Sequence, residues 1–191
     1  MNKIAIIPAK GHSNRLPGKN MKILCGKPML LYTIEEAKKS KYIDEIYVTS
    51  EDNKILELSK NNGVKVINRP IELSSDKATS MDVIEHAKSE IVSDIDIVLL
   101  QPTSPLRTVS DIDRCIEIYD TGFFKSVVTV KEVSPLSYYP NGAVYVFRDE
   151  IWNDSMGFVY MDKKSSIDID NMFDFEIAEK ILNDRNRRKK C

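Results

Sequence analysis

The chain has 191 residues, 42% of them hydrophobic, and its 28 Lys and Arg residues nearly balance 29 Asp and Glu residues, for a formal net charge of −1 at pH 7. This length and composition predict a single domain, 1–191, with a sizeable core. The balanced charge excludes the overall positive field that attracts nucleic acid, so cationic groups must act locally. We therefore expect a small-molecule partner and no nucleic acid.

Cysteine usage and the lack of long apolar runs favour a cytoplasmic protein. Cys25, Cys115 and Cys191 are odd in number, far apart and without Cys-x-x-Cys spacing, which is typical of a reducing compartment rather than a disulfide framework or a zinc site. The N-terminus has no signal-peptide pattern, and no apolar run approaches the ~20 residues that cross a bilayer. We expect no membrane partner.

Short runs rich in Val and Ile alternate with segments of helical period along the chain. This alternation predicts βαβ units and an α/β fold with a mostly parallel sheet. The predicted strands lie near residues 3–8, 44–50, 64–67, 95–101, 125–131, 142–147 and 166–169. The predicted helices lie near residues 28–40, 52–62, 79–92, 110–120 and 173–184.

The first predicted strand runs directly into a basic loop, Lys10-Gly11-His12-Ser13-Asn14-Arg15-Leu16-Pro17-Gly18-Lys19-Asn20. Its glycines permit unusual backbone angles and close approach of a ligand, and its three cations suit a ligand with several negative charges. Open α/β sheets bind ligands after such strands, so the loop predicts a phosphate site. The alternative is a mobile surface loop with solvated lysines.

Two common phosphate motifs are excluded by the spacing in this loop. A P-loop needs four residues between its first glycine and a Gly-Lys pair followed by Ser or Thr, whereas six residues separate Gly11 from Gly18 and Asn20 takes the hydroxyl position. The chain also has no Gly-x-Gly-x-x-Gly dinucleotide fingerprint.

Two further segments follow predicted strands. Arg69 comes after the third strand and Ser80 lies near the start of the next helix, where either can contact a nucleobase or a phosphate, although spacing alone does not single them out.

The fourth strand leads into Gln101-Pro102-Thr103-Ser104-Pro105-Leu106-Arg107, whose prolines would present the polar side chains, including Ser104 and Arg107, in fixed positions. Such a loop either orients a polar acceptor or is an ordinary turn with a capping serine.

The run Ser165-Ser166-Ile167-Asp168-Ile169-Asp170 alternates polar and apolar residues. On a strand, Asp168 and Asp170 share one face about 6–7 Å apart, an arrangement suited to Mg²⁺ bridging protein carboxylates and substrate phosphate. Asp174 either adds a third acidic group or caps the last helix. Together with the basic loop, this pair supports metal-assisted phosphoryl or nucleotidyl transfer; alone it also fits an edge strand with solvated aspartates.

The C-terminal residues 185–191 are rich in Arg and Lys. We expect this tail to be a frayed, solvated helix end, with contact to an acidic partner or a membrane surface as the alternative.

Four segments, in this order, resemble the acylneuraminate cytidylyltransferase family: IPAKGHSNRLPGKN (7–20), LLQPTSPLR (99–107), PNGAVY (140–145) and SIDID (166–170). The resemblance implies a Rossmann-like three-layer α/β sandwich of the nucleotidyltransferase type. It also implies transfer of CMP from CTP to the anomeric hydroxyl of a sialic-acid-like sugar acid, with Mg²⁺ and release of pyrophosphate, for cell-surface polysaccharide biosynthesis.

The resemblance also implies roles for individual residues. Lys19, Asp168 and Asp170 would be catalytic, the two aspartates as metal ligands, and Gln101 and Asn141 would bind the acceptor. The residues implied for nucleotide binding are Lys10, Ser13, Arg15, Lys19, Asn20, Arg69 and Ser80.

The chain departs from this family's pattern before its Pro-Asn-Gly. Familiar members carry a longer insertion there for sugar binding and dimer contact, whereas only residues 132–139 remain, and Tyr139 replaces a frequent arginine. A homodimer is therefore an open expectation. The open alternatives for function are CMP transfer to another sugar acid or a phosphonate, and a non-catalytic CTP-binding relative.

Overall fold

The computed structural model describes residues 2–75, 77–91 and 94–188. The strands are β1 Asn2–Pro8, β2 Ile23–Leu24, β3 Lys27–Pro28, β4 Glu45–Ser50, β5 Lys65–Asn68, β6 Ile95–Leu100, β7 Ser126–Ser134, β8 Ser137–Phe147 and β9 Met156–Tyr160. The α-helices are α1 Met29–Lys39, α2 Asn53–Asn61, α3 Ser80–Glu90, α4 Val109–Asp120 and α5 Met172–Arg188. The five predicted helices are confirmed.

Seven strands form one mixed sheet in the order β5-β4-β1-β6-β8-β7-β9, and β2 and β3 form a separate small hairpin. Within the sheet, β8 pairs antiparallel with both β6 and β7, while the pairs β5-β4, β4-β1, β1-β6 and β7-β9 are parallel. The mostly parallel sheet expected from the alternation of strands and helices is thus confirmed.

Helices cover both faces of this sheet. One face packs against α1, α2 and α4 through residues such as Ile34, Ile55 and Ile112. The other face packs against α3 through Ile84 and Ala87. All residues of β6 are buried because this central strand is covered on both faces. The three-layer architecture follows.

The strand predicted at 166–169 is wrong, and the sheet instead ends in β9, which the sequence analysis missed. Residues 162–166 form a turn in which Ser166 N donates to Asp162 O at 2.9 Å. The following segment crosses the edge of the sheet, where Ile169 N donates to Thr103 O at 2.8 Å. The alternation of polar and apolar residues in this segment comes from a loop with one buried side, since Ile169 is fully buried.

Helix α5 packs against loops at the edge of the sheet. Phe175 and Leu182 form a third apolar cluster with Leu16 of the basic loop, Leu106 and Ile169. This cluster anchors the loops after β1 and β6 and the 167–170 segment to one helix. The helix reaches Arg188, and the remainder of the tail, 189–191, lies outside the described residues. In the described ranges no helix is long and apolar enough to cross a bilayer.

Candidate active site

Strands β1 and β6 are neighbours in the sheet, but the chain leaves them in opposite directions, to β4 after β1 and toward β7 after β6. Such a switch point opens a crevice at the carboxyl ends of the strands. A cleft of about 250 Å³ lies there. The predicted site residues that line it are Lys10, Lys19, Asn20, Arg69, Ser80, Gln101, Asp168 and Asp170.

Two of the predicted nucleotide-binding residues lie just outside this cleft. Ser13 and Arg15 line an adjoining pocket of about 320 Å³, which shares Lys10, Lys19 and Asn20 with the cleft. The basic loop therefore lies between the two concavities, and Lys10 and Lys19 line both.

A side-chain hydrogen bond, a left-handed glycine and close packing against Asp52 shape the basic loop. Asn20 Nδ2 donates to Lys10 O at 2.8 Å, which ties the two ends of the loop together. Gly18 has φ +64° and begins a short 3-10 helix that carries Lys19. Gly11 is required for another reason, since a Cβ there would lie 2.5 Å from Asp52 Oδ2. These contacts tie both ends of the loop to the rest of the fold.

The basic loop and the aspartate segment are joined at Asp170. Arg15 Nη1 lies 2.9 Å from Asp170 Oδ2, and Lys19 Nζ lies 3.4 Å from Asp170 Oδ1 while donating to Ile169 O at 2.7 Å. The Arg15 side chain is 71% exposed and that of Lys19 only 13%. Lys19 is thus held in the cleft, whereas Arg15 reaches it from the surface.

Asp168 is the more enclosed of the two carboxylates. Its Oδ1 atom is buried and has no hydrogen-bond partner. The pKa of Asp168 is raised above its ordinary value, mainly by burial and further by the charge of Asp170. A hydrogen bond from Thr103 and the charges of Lys19 and Lys131 act in the opposite direction but do not outweigh burial. A buried carboxylate oxygen without a donor is suited to a cation.

The two aspartates come together without the strand that the sequence predicted, since the loop holds both at the cleft. Asp174 does not join them, because its Oδ2 accepts from Asp170 N at 3.0 Å and Asn171 N at 3.2 Å and caps α5. No cluster of three or more His, Cys, Asp or Glu side chains suited to a metal occurs within 2–75, 77–91 and 94–188. A metal held here needs further ligands from substrate or water.

Arg69 is fixed by residues that the sequence analysis missed. Its Nη2 lies 3.0 Å from Glu51 Oε2, and its Nε donates to Ser74 Oγ at 2.9 Å. The other Glu51 oxygen, Oε1, accepts from Gly11 N at 2.8 Å. Glu51 directly follows β4, so an acidic residue after a predicted strand was the signal available.

The charge of Glu51 is stabilised by these contacts. Burial acts to raise its pKa, but hydrogen bonds from Ser74, from the Gly11 amide and from Arg69 outweigh burial and hold the pKa below its ordinary value. Glu51 therefore stays ionised and connects the basic loop to Arg69.

Ser80 occupies the first turn of α3. Thr79 caps this helix, because Asp82 N donates to Thr79 Oγ1 at 3.2 Å and Thr79 N donates to Asp82 Oδ2 at 2.7 Å. The cap directs the N-terminus of α3 toward the cleft, where Thr79 and Ser80 both line the wall. The positive end of the helix dipole favours an electron-rich ligand there.

The loop after β6 presents Gln101 but not all of its polar residues. Ser104 and Arg107 are 1% and 2% exposed, so the loop does not present these two side chains at the surface. Arg107 Nη1 instead donates to Gln101 O at 3.1 Å and Ala143 O at 2.6 Å. Burial lowers the pKa of Arg107 to about 10. This guanidinium fixes the backbone that carries Gln101.

Asn141 is a buried residue of β8 and is not among the residues that line the cleft. Its Oδ1 accepts from Thr129 Oγ1 at 2.7 Å and from Ala143 N at 3.1 Å. The geometry gives it a role in shaping the hairpin, and the predicted contact with the acceptor stays a prediction.

The shortened segment 132–139 forms the tip of the β7-β8 hairpin. The strands are joined by a tight turn at Pro135 and Leu136, where Leu136 has φ +64°. Tyr138 and Tyr139 on the returning strand are 52% and 67% exposed. The short segment therefore forms an exposed hairpin end.

An open sheet whose switch-point crevice is lined by cations, two carboxylates and a helix N-terminus defines a nucleotidyltransferase-type α/β protein. The chain belongs to the cytidylyltransferase family, whose model matches residues 4–166.

Curated relatives match most of the chain. The N-acylneuraminate cytidylyltransferase of Escherichia coli O18:K1:H7 is 33% identical over 223 residues, covering 97% of this chain and 53% of the relative. The CMP-N,N'-diacetyllegionaminic acid synthase of Legionella pneumophila is 36% identical over 143 residues, covering 70% of this chain and 60% of the relative. The chain spans about half the length of the curated relatives it matches. An alignment longer than the 191-residue chain means that the first relative carries insertions that this chain lacks.

Solved structures share the fold. A CMP:2-keto-3-deoxy-manno-octonic acid synthetase complexed with CTP superposes with a TM-score of 0.78 at 15% identity, covering 97% of this chain and all of that one. A cytidylyltransferase from Leptospira borgpetersenii serovar Hardjo-bovis gives a TM-score of 0.68 at 21% identity, covering 92% and 84%. The Rossmann-like nucleotidyltransferase fold is thereby confirmed.

Proposed function

We propose that this chain transfers CMP from CTP to the anomeric hydroxyl of a sialic-acid-like sugar acid and releases pyrophosphate. One observation carries the proposal: in a member of the cytidylyltransferase family, Lys10, Lys19, Asp168 and Asp170 line one cleft at the switch point. Two relatives, an N-acylneuraminate cytidylyltransferase and a CMP-N,N'-diacetyllegionaminic acid synthase, support the acceptor class. The proposed setting is the cytoplasm, in cell-surface polysaccharide biosynthesis.

In this proposal the basic loop binds the triphosphate. Lys10 and Lys19 neutralise phosphate charge, Arg15 contributes from the surface, and Ser13 and Asn20 donate hydrogen bonds. Arg69 and Ser80 contact the cytidine on the opposite wall. Glu51 and Ser74 accept one hydrogen each from Nη2 and Nε of Arg69, so the two hydrogens of Nη1 and the second hydrogen of Nη2 remain for the ligand.

Asp168 and Asp170 would hold Mg²⁺. Oxygen ligands from two carboxylates, completed by phosphate and water, are what this ion prefers, and the unpaired buried Oδ1 of Asp168 fits such a cation. When bound, the ion would neutralise charge on the phosphates of CTP and on departing pyrophosphate. Asp170 would exchange its contacts with Arg15 for that role, which frees Arg15 for the triphosphate.

The chemistry requires positioning rather than a covalent enzyme intermediate. The oxygen of the acceptor's anomeric hydroxyl attacks the α-phosphorus, and its proton passes to solvent water. The bond between the α-phosphorus and the oxygen that bridges to the β-phosphate breaks, which releases pyrophosphate. Lys19, held beside Asp170, would stabilise the negative charge that develops on the phosphates. Gln101, whose backbone Arg107 fixes, would orient the acceptor.

The test is pyrophosphate release from CTP with Mg²⁺ and a panel of sialic, legionaminic, pseudaminic and 3-deoxy-octulosonic acids and a simple phosphonate, with ATP, GTP and UTP as controls. Turnover with CTP and a nonulosonic acid would support the proposal. The short hairpin favours one alternative, CMP transfer to a different acceptor, which turnover with only the octulosonic acid or the phosphonate would reveal. CTP-dependent thermal stabilisation without pyrophosphate release from any acceptor would instead indicate a non-catalytic binder.

A further inference from the structure

Glu51 connects two walls of the cleft although it is not among the residues that line it. It directly follows β4, which lies between β1 and β5 in the sheet. The backbone pairing continues past the ends of these strands. On one side Ala9 N donates to Thr49 O at 3.0 Å, and on the other Arg69 N donates to Ser50 O at 3.0 Å. Glu51 therefore stands between the start of the basic loop and Arg69.

The two carboxylate oxygens of Glu51 serve different walls. Oε1 accepts from Gly11 N at 2.8 Å, near the start of the basic loop. Oε2 accepts from Arg69 Nη2 at 3.0 Å and from Ser74 Oγ. The same Ser74 hydroxyl accepts from Arg69 Nε at 2.9 Å. One carboxylate thus fixes the basic loop through one oxygen and the wall that carries Arg69 through the other.

This arrangement is enclosed, since the side chains of Arg69 and Glu51 are only 3% and 9% exposed. Leu73 and Ser75, on either side of Ser74, line the cleft together with Arg69. A shift of Arg69 away from Glu51 would leave a buried charge without its partner, which is costly. The placement of Arg69 relative to the basic loop is therefore set before a ligand binds.

We propose that Glu51 is a positioning residue for the nucleotide, which holds the basic loop and Arg69 in the relative placement that one CTP molecule needs to contact both. The assignment rests on the proposed function, in which the basic loop binds the triphosphate and Arg69 the cytidine, and it deepens that function. Contacts that are already in place spare the ligand the cost of ordering them. The negative charge of Glu51 opposes phosphate, so its contribution to binding lies in its geometry.

The experiment measures how cytidine and tripolyphosphate, one probe for each half of CTP, displace CTP from wild type and from variants. Glu51→Ala removes the contacts to both walls, and we expect the Ki of each probe to rise about fivefold or more. Loss of a negative charge alone would lower the Ki of tripolyphosphate, because it makes the site more positive. The geometric and the electrostatic effect therefore differ in sign.

Ser74→Ala tests one wall separately. It removes the hydroxyl that links Glu51 Oε2 to Arg69 Nε and leaves the bond from Gly11 N in place. The Ki of cytidine should rise about threefold, and the Ki of tripolyphosphate should change by less than about twofold. The matched control is Glu57→Ala, an exposed change on α2, which should alter neither constant.

Glu51→Gln serves where Glu51→Ala does not fold. Its amide has one acceptor oxygen in place of two, so it cannot accept from both walls, and at least one of the two constants should rise. Unchanged constants in a folded Glu51 variant, or tighter binding of tripolyphosphate by Glu51→Ala, would overturn the assignment. Equal weakening of both probes by Ser74→Ala, or failure of either probe to displace CTP from wild type, would overturn it as well.

The same measurements separate this assignment from the proposed function. If the variants behave as expected but wild type releases pyrophosphate with no acceptor, the proposed transfer fails and the assignment of Glu51 stands. If wild type releases pyrophosphate and Glu51→Ala binds both probes like wild type, only the assignment fails. If wild type does not bind CTP, both fail.

Discussion

Arg69 and Glu51 form an ion pair at the cleft, with 3.0 Å between Nη2 and Oε2 and side chains only 3% and 9% exposed. Glu51 also accepts from the amide of Gly11, so a single carboxylate connects the basic loop after β1 to the residue that would read the nucleotide. Breaking a buried pair by neutralising one partner leaves the other charge uncompensated.

We expect Glu51→Gln to lower the free energy of unfolding by about 3 kcal/mol, because Arg69 then keeps a buried charge without its partner. Urea denaturation at pH 7 measures this change. Glu57→Gln, an exposed change on α2, is the matched control and should shift stability by less than about 0.5 kcal/mol. A loss for Glu51→Gln as small as that of the control would contradict the importance of the pair.

The same pair predicts a pH dependence of stability. The folded protein lowers the pKa of Glu51 below its ordinary value of 4.5, so the stabilisation is fully present above that value and is lost as pH falls through the folded-state pKa. We expect the stability difference between wild type and Glu51→Gln to stay constant from pH 7 to about 5 and to shrink below 4.5. A difference that grows on acidification would have the wrong sign for a lowered pKa.

Asp168→Asn should lower the rate of CMP transfer about a thousandfold or more, because an amide is a poor replacement for a carboxylate ligand of Mg²⁺. Burial raises the pKa of Asp168, so its charge is unfavourable to the fold, and the neutral isostere should leave stability equal or higher, within about 1 kcal/mol. Pyrophosphate release and thermal unfolding test the two parts. The control is Asp149→Asn, an exposed change outside the cleft, which should alter neither pyrophosphate release nor thermal stability. Normal turnover by Asp168→Asn would refute the assignment of Asp168 as a metal ligand.

Arg15 and Lys19 both contact the carboxylate of Asp170, but Arg15 is mostly exposed and Lys19 is enclosed. We expect their alanine variants to change different kinetic constants. Arg15→Ala removes a mostly exposed ion pair and should raise the KM for CTP several-fold with little change in kcat or stability. Lys19→Ala removes the enclosed cation and should lower kcat about a hundredfold. Steady-state kinetics with CTP as the varied substrate separate the two, and a similar loss of kcat in both variants would show that Arg15 is equally part of the catalytic centre.

The sequence predicted the elements that rest on local periodicity. Val- and Ile-rich runs and helical patterns located β1, β4, β6 and all five α-helices, because burial on a sheet face or along a helix stripe is a local property. The same reasoning misjudged 166–169, where a loop with one buried side alternates like a strand. It also missed β9, a short edge strand of alternating burial.

The sequence by itself determined the α/β class, the basic loop and the aspartate pair, since these depend on residue types at close spacing along the chain. Only the tertiary structure decided which distant side chains meet. The order β4-β1-β6 brings the ends of three strands together, so Glu51, Lys10 and Gln101 reach one region. The spacing along the loop after β6 does not distinguish Gln101 from Arg107, but the fold places Gln101 at the cleft and buries Arg107, whose Nη1 donates to the backbone oxygens of Gln101 and Ala143. Which side chain of a loop is buried depends on the elements packed over it, and these are distant in the sequence.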